Sequence, residues 1–374
     1  MIPYSKQTID KSDIKNINRV LKSNFLTQGP ETEKFEKNLR RYVGSKYAVS
    51  CSSATAGLHL ACLSLDIKTD DIVWTSGISF VASANCAIYC NAKIEFLDID
   101  LKTFNICPQK LKLRLERAKK KKILPRAIIT VHLGGLAAYQ KDIYNLSKIY
   151  GFKVIEDASH SIGASVKGQN IGNCKWSDIT VFSFHPVKII TTGEGGAITT
   201  NSNMYYKKLK IFREHGIIRY NTKKKWFYNQ KYLGFNYRMS DINASLGNSQ
   251  LKKLDYFVKK RNIIAQKYIN FFNKYEIKTQ HIPEKTLSSY HLFIILNKNR
   301  EKIFKTLRQN GIFCQLHYIP IYRHEFYKKK IKFDKKKFKN CEIYFRCALS
   351  IPIYPNLSKK IFDKITSLIL KCTK

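Results

Sequence analysis

The chain has no run approaching the roughly 20 apolar residues that a membrane span requires, and its first residues, MIPYSKQTIDKSD, lack the apolar core of a signal peptide. A soluble, cytoplasmic protein is expected. Its ten cysteines form no CxxC pair and no His/Cys cluster, so neither a zinc site nor a disulfide framework is indicated and no metal is expected. Most should be small buried hydrophobes in a reducing compartment. There is no internal repeat, no low-complexity linker, and no RNP, zinc-finger or helix-turn-helix signature.

Acidic residues are scarce. With 27 Asp+Glu against 67 Lys+Arg, the formal charge is +40. That balance alone would suggest nucleic acid, an anionic membrane surface or an acidic substrate. The excess is mostly lysine, runs from end to end, and comes with abundant Asn, Ile, Tyr and Phe, which reads as an A/T-biased codon supply. The densest runs, Lys119–Lys122, Lys223–Lys225 and Lys328–Lys337, read as exposed loops or helix ends. A positive field would still gather a doubly charged nucleotide-type substrate. A basic nucleic-acid-binding or regulatory protein is the alternative from a different class.

What is present is a folded chain of 374 residues, 44% hydrophobic, long enough for two domains. Between about Leu39 and Asn201, β-rich runs at Tyr47–Cys51, Ile72–Ser76, Lys93–Asp98, Ala127–His132, Lys153–Asp157, Ile179–Phe184 and Ala197–Asn201 alternate with helical stretches such as Ala54–Leu65, Val81–Cys90 and Gln140–Tyr150. The alternation predicts an α/β fold, a mainly parallel sheet covered by helices on both faces. After Ser240 a long helical stretch, Asp241 to about Tyr275, leads into a smaller C-terminal domain. Ligands of such sheets sit at the carboxyl ends of the strands, and the residues there carry the chemistry.

After the first run, Ser53-Ala54-Thr55 opens a helix, offering hydroxyls and free N–H groups at a positive helix end, a phosphate cradle; alone, this is an ordinary N-cap. Asp157 closes an apolar strand, where a carboxylate can cap the next helix or pair with a protonated pyridine nitrogen. Phe80 follows the second run and is either core or a ring that stacks on a flat cofactor. Lys188 stands in SFHPVKIITTGEGG, among Phe184, Val187, Ile189 and Ile190 and before Gly193, Gly195 and Gly196. Burial there would depress its pKa and leave a nucleophilic amine, while Ser183 on the same strand end could bind a phosphate.

In this order and at these places the residues resemble the DegT/DnrJ/EryC1/StrS family of nucleotide-sugar aminotransferases, from LTQGP at Leu26–Pro30 through SIPIYPNLS at Ser350–Ser358. The resemblance implies a pyridoxal 5'-phosphate (PLP)-dependent transferase of fold type I, aspartate-aminotransferase-like. Its large domain would be residues 1–245 and its smaller α+β domain residues 246–374. It also implies Lys188 as the covalent anchor and proton carrier, Asp157 as pyridinium partner, Phe80 as stacking ring, and Ser53, Ala54, Thr55 and Ser183 as phosphate contacts. His160 stands beside the cofactor ring, where many members carry glutamine. Asn236, in GFNYRMSD, would reach from one subunit to the phosphate in the other, which makes a homodimer with shared active sites. The implied substrates are L-glutamate and a UDP-linked 4-keto-6-deoxy sugar, with Gln28, His317 and Tyr318 as candidates to hold the sugar nucleotide; His317 and Tyr318 read equally well as packing residues. Sugar 3-dehydratases of the family replace the lysine with histidine, so Lys188 argues against that chemistry. An aminotransferase acting on another UDP- or dTDP-keto-sugar remains the nearest rival.

Overall fold

Seven five-residue strands build the main sheet of the computed structural model, which describes residues 1–137, 139–220, 224, 226–330 and 337–373. They are β1 (Tyr47–Cys51), β2 (Ile72–Ser76), β3 (Lys93–Leu97), β4 (Ala127–Val131), β5 (Lys153–Asp157), β6 (Ile179–Ser183) and β7 (Gly196–Thr200), all within one residue of the expected runs. Their order across the sheet is β1-β7-β6-β5-β4-β2-β3. Only β7 runs against its neighbours β1 and β6; every other pairing is parallel, so the sheet is mainly parallel as expected.

The pleat sends alternate side chains to opposite faces, and both faces are apolar. Val73, Ile129, Ile155, Val181 and Ile198 pack under α3 (Ala54–Ser64), α4 (Ala82–Tyr89) and α7 (Asn203–Arg213). Trp74, Ile128 and Val154 face α5 (Pro108–Lys120) and α6 (Gln140–Tyr150), and Phe182 and Ala197 meet α2 (Pro30–Val43) and α8 (Asp241–Leu251). Near-continuous hydrophobic strands are the mark of a sheet buried on both sides.

The expected helix from Asp241 to about Tyr275 is two helices, α8 and α9 (Leu254–Asn273), broken at Lys252–Lys253. The first turns of α9 still pack in the core that α8 serves, through Leu254, Phe257 and Val258, and only its later turns leave it. Helix α8 packs with α1 (Lys11–Leu21) and α2 against the main sheet, whereas α9 carries Ile264, Ala265, Tyr268 and Phe272 into a second core with Phe293, Ile295, Leu349 and Ile369. Lys253 at the break is held by Asp10 at 2.7 Å and Asp13 at 2.8 Å.

The second core covers an antiparallel sheet of β8 (Lys278–Thr279), β9 (Phe293–Leu296) and β10 (Ala348–Ile351). The chain's first residues join this part: Ile2 exchanges backbone hydrogen bonds with Gly311 and Phe313. Ser5 then donates to the carbonyl of Val187 at 2.9 Å, so the N-terminal segment ties the second core to the turn that bears Lys188. Lys119–Lys122 is an exposed helix end, as expected. Lys223, Lys225 and residues 331–336 of the other two lysine runs lie outside the described residues. Eight of the ten cysteines are buried and all are free, in keeping with their reading as small hydrophobes. Among the described residues no helix is long and apolar enough to cross a membrane.

Candidate active site

A cavity of about 490 Å³ opens at the carboxyl edge of the main sheet and gathers Ser53, Ala54, Thr55, Phe80, Asp157, His160, Ser183, Lys188, His317 and Tyr318. Ten of the twelve residues expected to form the site therefore meet in one place. The other two do not. Gln28 is exposed and lines a separate cleft with Thr32 and Arg213, and Asn236 is exposed, its backbone bridged to Glu214.

One end of the cavity is the first turn of α3. Ser53 caps it, its hydroxyl accepting the N–H of Ala56 at 3.1 Å. The N–H groups of Ala54 and Thr55 are first-turn donors without intrahelical partners, and they sit at the positive end of the helix dipole. The hydroxyls of Thr55 and Ser183 have no hydrogen-bond partner among the described residues. Strand β7 reaches this turn only because residue 196 is glycine: a Cβ there would stand 2.6 Å from the Ala54 nitrogen and 2.6 Å from the Ser53 carbonyl carbon. Gly57 does the same one turn on, where a Cβ would lie 2.8 Å from Val181. Close backbone approach and free donors make the cradle that an anion needs.

Across the cavity, Asp157 ends β5 with 5% of its surface exposed. Ser83 of α4 donates to its Oδ2 at 2.6 Å, the Ser159 N–H to its Oδ1 at 3.2 Å, and Ser79 pairs with Ser83 at 2.7 Å. A carboxylate so held keeps one orientation. Lys188 follows β6 in a turn closed by Phe184 N–H to Gly195 O at 2.9 Å and Thr192 N–H to Phe184 O at 3.0 Å. Its Nζ has no partner among the described residues, and burial pushes it down to about 8 while Asp157 opposes the shift. The amine is thus poised near neutrality rather than locked in a salt bridge.

Four histidines line the same cavity, His160, His185, His291 and His317, and burial keeps His160, His291 and His317 uncharged. His317 is pushed down to about 3, first by burial and then by Lys188. His160 and His291 are held well below the usual imidazole range by burial, with Lys188 the next cause. The ring of Phe80 is 57% exposed, available to a ligand, and stands 6.0 Å from that of Tyr318. Burial raises the Tyr318 phenol, which stays protonated.

Sequence reasoning missed several of these residues. Ser79 lies in the turn before Phe80 and Ser83 on the helix after it, and only the fold brings Ser83, with Ser79 behind it, to Asp157. Tyr4, His291 and Gln315 come from distant parts of the chain; no local pattern marks them, although Gln315 sits in the same GIFCQLHYIPIY stretch as His317 and Tyr318.

A lone low-pKa lysine, an oriented buried carboxylate and an anion cradle, each just after a strand of a doubly covered sheet, define a group-transfer enzyme that anchors its cofactor through an amine. The chain belongs to the DegT/DnrJ/EryC1/StrS aminotransferase family, whose sequence pattern matches residues 7–370. It is 39% identical to UDP-4-amino-4,6-dideoxy-N-acetyl-β-L-altrosamine transaminase of Campylobacter jejuni subsp. jejuni serotype O:23/36, over 100% of this chain and 99% of the relative. Among solved structures it is similar to Helicobacter pylori PseC, an aminotransferase involved in the biosynthesis of pseudoaminic acid, with TM-score 0.91, 31% identity, and 100% and 99% of the two chains covered. It also resembles the PLP-form of the putative sugar aminotransferase Spr1654 from Streptococcus pneumoniae, with TM-score 0.88, 26% identity and both chains covered completely. The α/β fold is that of these sugar aminotransferases.

Proposed function

We propose that the protein is a PLP-dependent aminotransferase that moves the amino group of L-glutamate to C4 of a UDP-linked 4-keto-6-deoxy-N-acetyl hexose. The product would be UDP-4-amino-4,6-dideoxy-N-acetyl-β-L-altrosamine, in pseudaminic acid biosynthesis in the cytoplasm. The observation that carries the reading is Lys188: an unpartnered amine near pKa 8 in a cavity with a carboxylate and an anion cradle. The names of the relatives support the substrate.

The residues fit PLP. The free hydroxyls of Thr55 and Ser183, with the first-turn N–H groups of α3, suit a phosphate. Asp157 suits a protonated ring nitrogen, Phe80 a ring face, and Lys188 an aldehyde. When bound, the cofactor supplies a carbonyl that exchanges amines and a ring that takes up the electrons released when a C–H bond breaks. The chain supplies the rest. Nζ of Lys188 would take the proton from the α-carbon of glutamate. In the second stage it returns a proton at C4 of the sugar. Asp157, held in one orientation by Ser83 and Ser159, would hold a protonated ring nitrogen through both stages. The neutral His160, His291 and His317 surround the amine without adding positive charge, which keeps Lys188 able to accept a proton.

The same reading makes the protein a homodimer in which Asn236 reaches the phosphate in the partner's site, and divides the chain into a large part, residues 1–245, and a small part, residues 246–374. Exposure of Asn236 and of Trp226, Tyr228 and Leu233 around the short hairpin that precedes it supports the dimer. Exposed aromatic and aliphatic side chains so close in sequence fit a covered surface.

The test is purified protein with PLP, glutamate and a panel of 4-keto and 3-keto UDP- and dTDP-sugars. The protein should absorb in the visible range with PLP and lose that band in Lys188→Ala, and it should aminate the UDP-4-keto sugar. Turnover of dTDP-sugars alone would overturn the substrate. A colourless protein that takes up no PLP would overturn the enzyme class.

A further inference from the structure

The environment of Tyr318 assigns it a part in the chemistry itself. Its hydroxyl lies 3.1 Å from Nε2 of His160, and which of the two atoms donates is decided on the far side of the imidazole. There, Nδ1 receives the backbone N–H of Gly134 at 3.3 Å. An amide N–H can only donate, so Nδ1 carries the lone pair, and a neutral imidazole then has its proton on Nε2. Burial and the neighbouring Lys188 keep His160 neutral. Nε2 therefore donates to Tyr318, and the Tyr318 oxygen accepts. Its own proton has no acceptor among the described residues, and the residue lines the cavity with Lys188.

The arrangement is held on both sides. The carbonyl of His160 accepts the hydroxyl of Ser289 at 2.8 Å, the carbonyl of Leu133, next to Gly134, accepts from Gln280 at 2.9 Å, and the carbonyl of His317 accepts the Tyr344 hydroxyl at 2.6 Å. A hydroxyl that is fixed, already accepting, and free to donate only into the reaction space is a preorganised donor for a developing oxygen charge.

We propose that Tyr318 is a catalytic residue whose hydroxyl, aimed by His160, donates a hydrogen bond to the carbonyl oxygen at the reacting carbon. The proposal rests on the aminotransferase reading. In that reaction the donor departs as a keto acid and the acceptor arrives as a keto sugar, so one carbonyl oxygen is formed from a water molecule and one is lost as a water molecule at the same centre. A donor placed for that oxygen serves both stages. His160 is a positioning residue: it sets the direction of the phenol proton and never touches the substrate through Nε2.

Two measurements test this. In the cofactor-free protein, 15N spectra of labelled histidine should show His160 protonated at Nε2 and bare at Nδ1; the opposite tautomer overturns the proposal. In the PLP-loaded protein, Tyr318→Phe, which keeps the ring and should keep the melting temperature, is expected to slow both half-reactions, with glutamate and with the keto sugar, by about 100-fold in single turnovers. His160→Leu should act in the same direction. His160→Gln should recover most of the rate, because an amide can accept from Gly134 and donate to Tyr318. Loss confined to the sugar stage and expressed as a raised KM would make Tyr318 a sugar contact only, and unchanged half-reactions would remove it from the chemistry; either result overturns the proposal. If the wild-type protein reacts with neither glutamate nor any keto sugar, the aminotransferase reading fails instead, and the tautomer measurement still stands by itself.

Discussion

At the residue scale the function depends on how far burial moves one amine. An ordinary lysine, at 10.5, is almost wholly protonated at neutral pH, whereas Lys188 is pushed down to about 8, leaving about a tenth of the molecules with a free amine at pH 7. The free base increases as pH rises through that value, and only the free base attacks an aldehyde. The rate of PLP capture by cofactor-free protein should therefore rise about tenfold between pH 7 and pH 9 and then level off. Stopped-flow absorbance would check it, and a profile still climbing beyond pH 10 would show that burial does not perturb this lysine. Ser83 acts on the other pole of the site. Removing its 2.6 Å bond to Asp157 in Ser83→Ala takes away a donor to a buried charge, an interaction of about 2 kcal/mol. Cofactor affinity in equilibrium dialysis should fall while the fold persists. Asp157 was legible because it ends an apolar strand, and Lys188 because it stands among apolar residues just before a glycine-rich turn. Ser83 was not, since a serine inside a helix has no local mark of the carboxylate it will meet across the sheet.

At the element scale the site is made by strand ends and one helix start, and that is why so much of it could be read in advance. Alternation of β-rich and helical runs gave all seven strands, and the carboxyl-edge rule then pointed to the residues after them. Periodicity could not reveal the break at Lys252–Lys253, because α8 and α9 are each regular and apolar residues on both sides of it, Leu251 and Leu254, enter the same core. Nor could it show that Gly196, the last of the glycines after Lys188, belongs to the phosphate end rather than to the lysine's turn. Gly196 is where β7 passes against the first turn of α3. Gly196→Ala would put a methyl group on the backbone of Ser53 and Ala54, neither of which can rotate away. A cost of about 1–3 kcal/mol is expected from such overpacking. Calorimetry should show a lower melting temperature, and phosphate or PLP affinity should fall more than in a destabilised variant elsewhere in the core. Loss of stability with unchanged affinity would mean that the helix start adapts.

At the scale of the whole molecule, the expected site residues divide into those the chain brings together by itself and those it does not. Lys188, Asp157 and the cradle share one cavity; Asn236 stays on the surface. No reading of one chain could show where such a residue acts, because its partner atoms would belong to a second copy. If sites are completed across a two-fold interface, Lys188 and Asn236 of one subunit serve different sites. A mixture of Lys188→Ala and Asn236→Ala subunits, each impaired alone at limiting cofactor, would then form hybrid dimers with one intact site and one doubly impaired. With random exchange half the dimers are hybrids, so mixing should restore about a quarter of wild-type activity. Activity no greater than the sum of the two parents, in a mixture shown by mass spectrometry to contain hybrids, would place Asn236 in the site of its own chain or outside the site altogether.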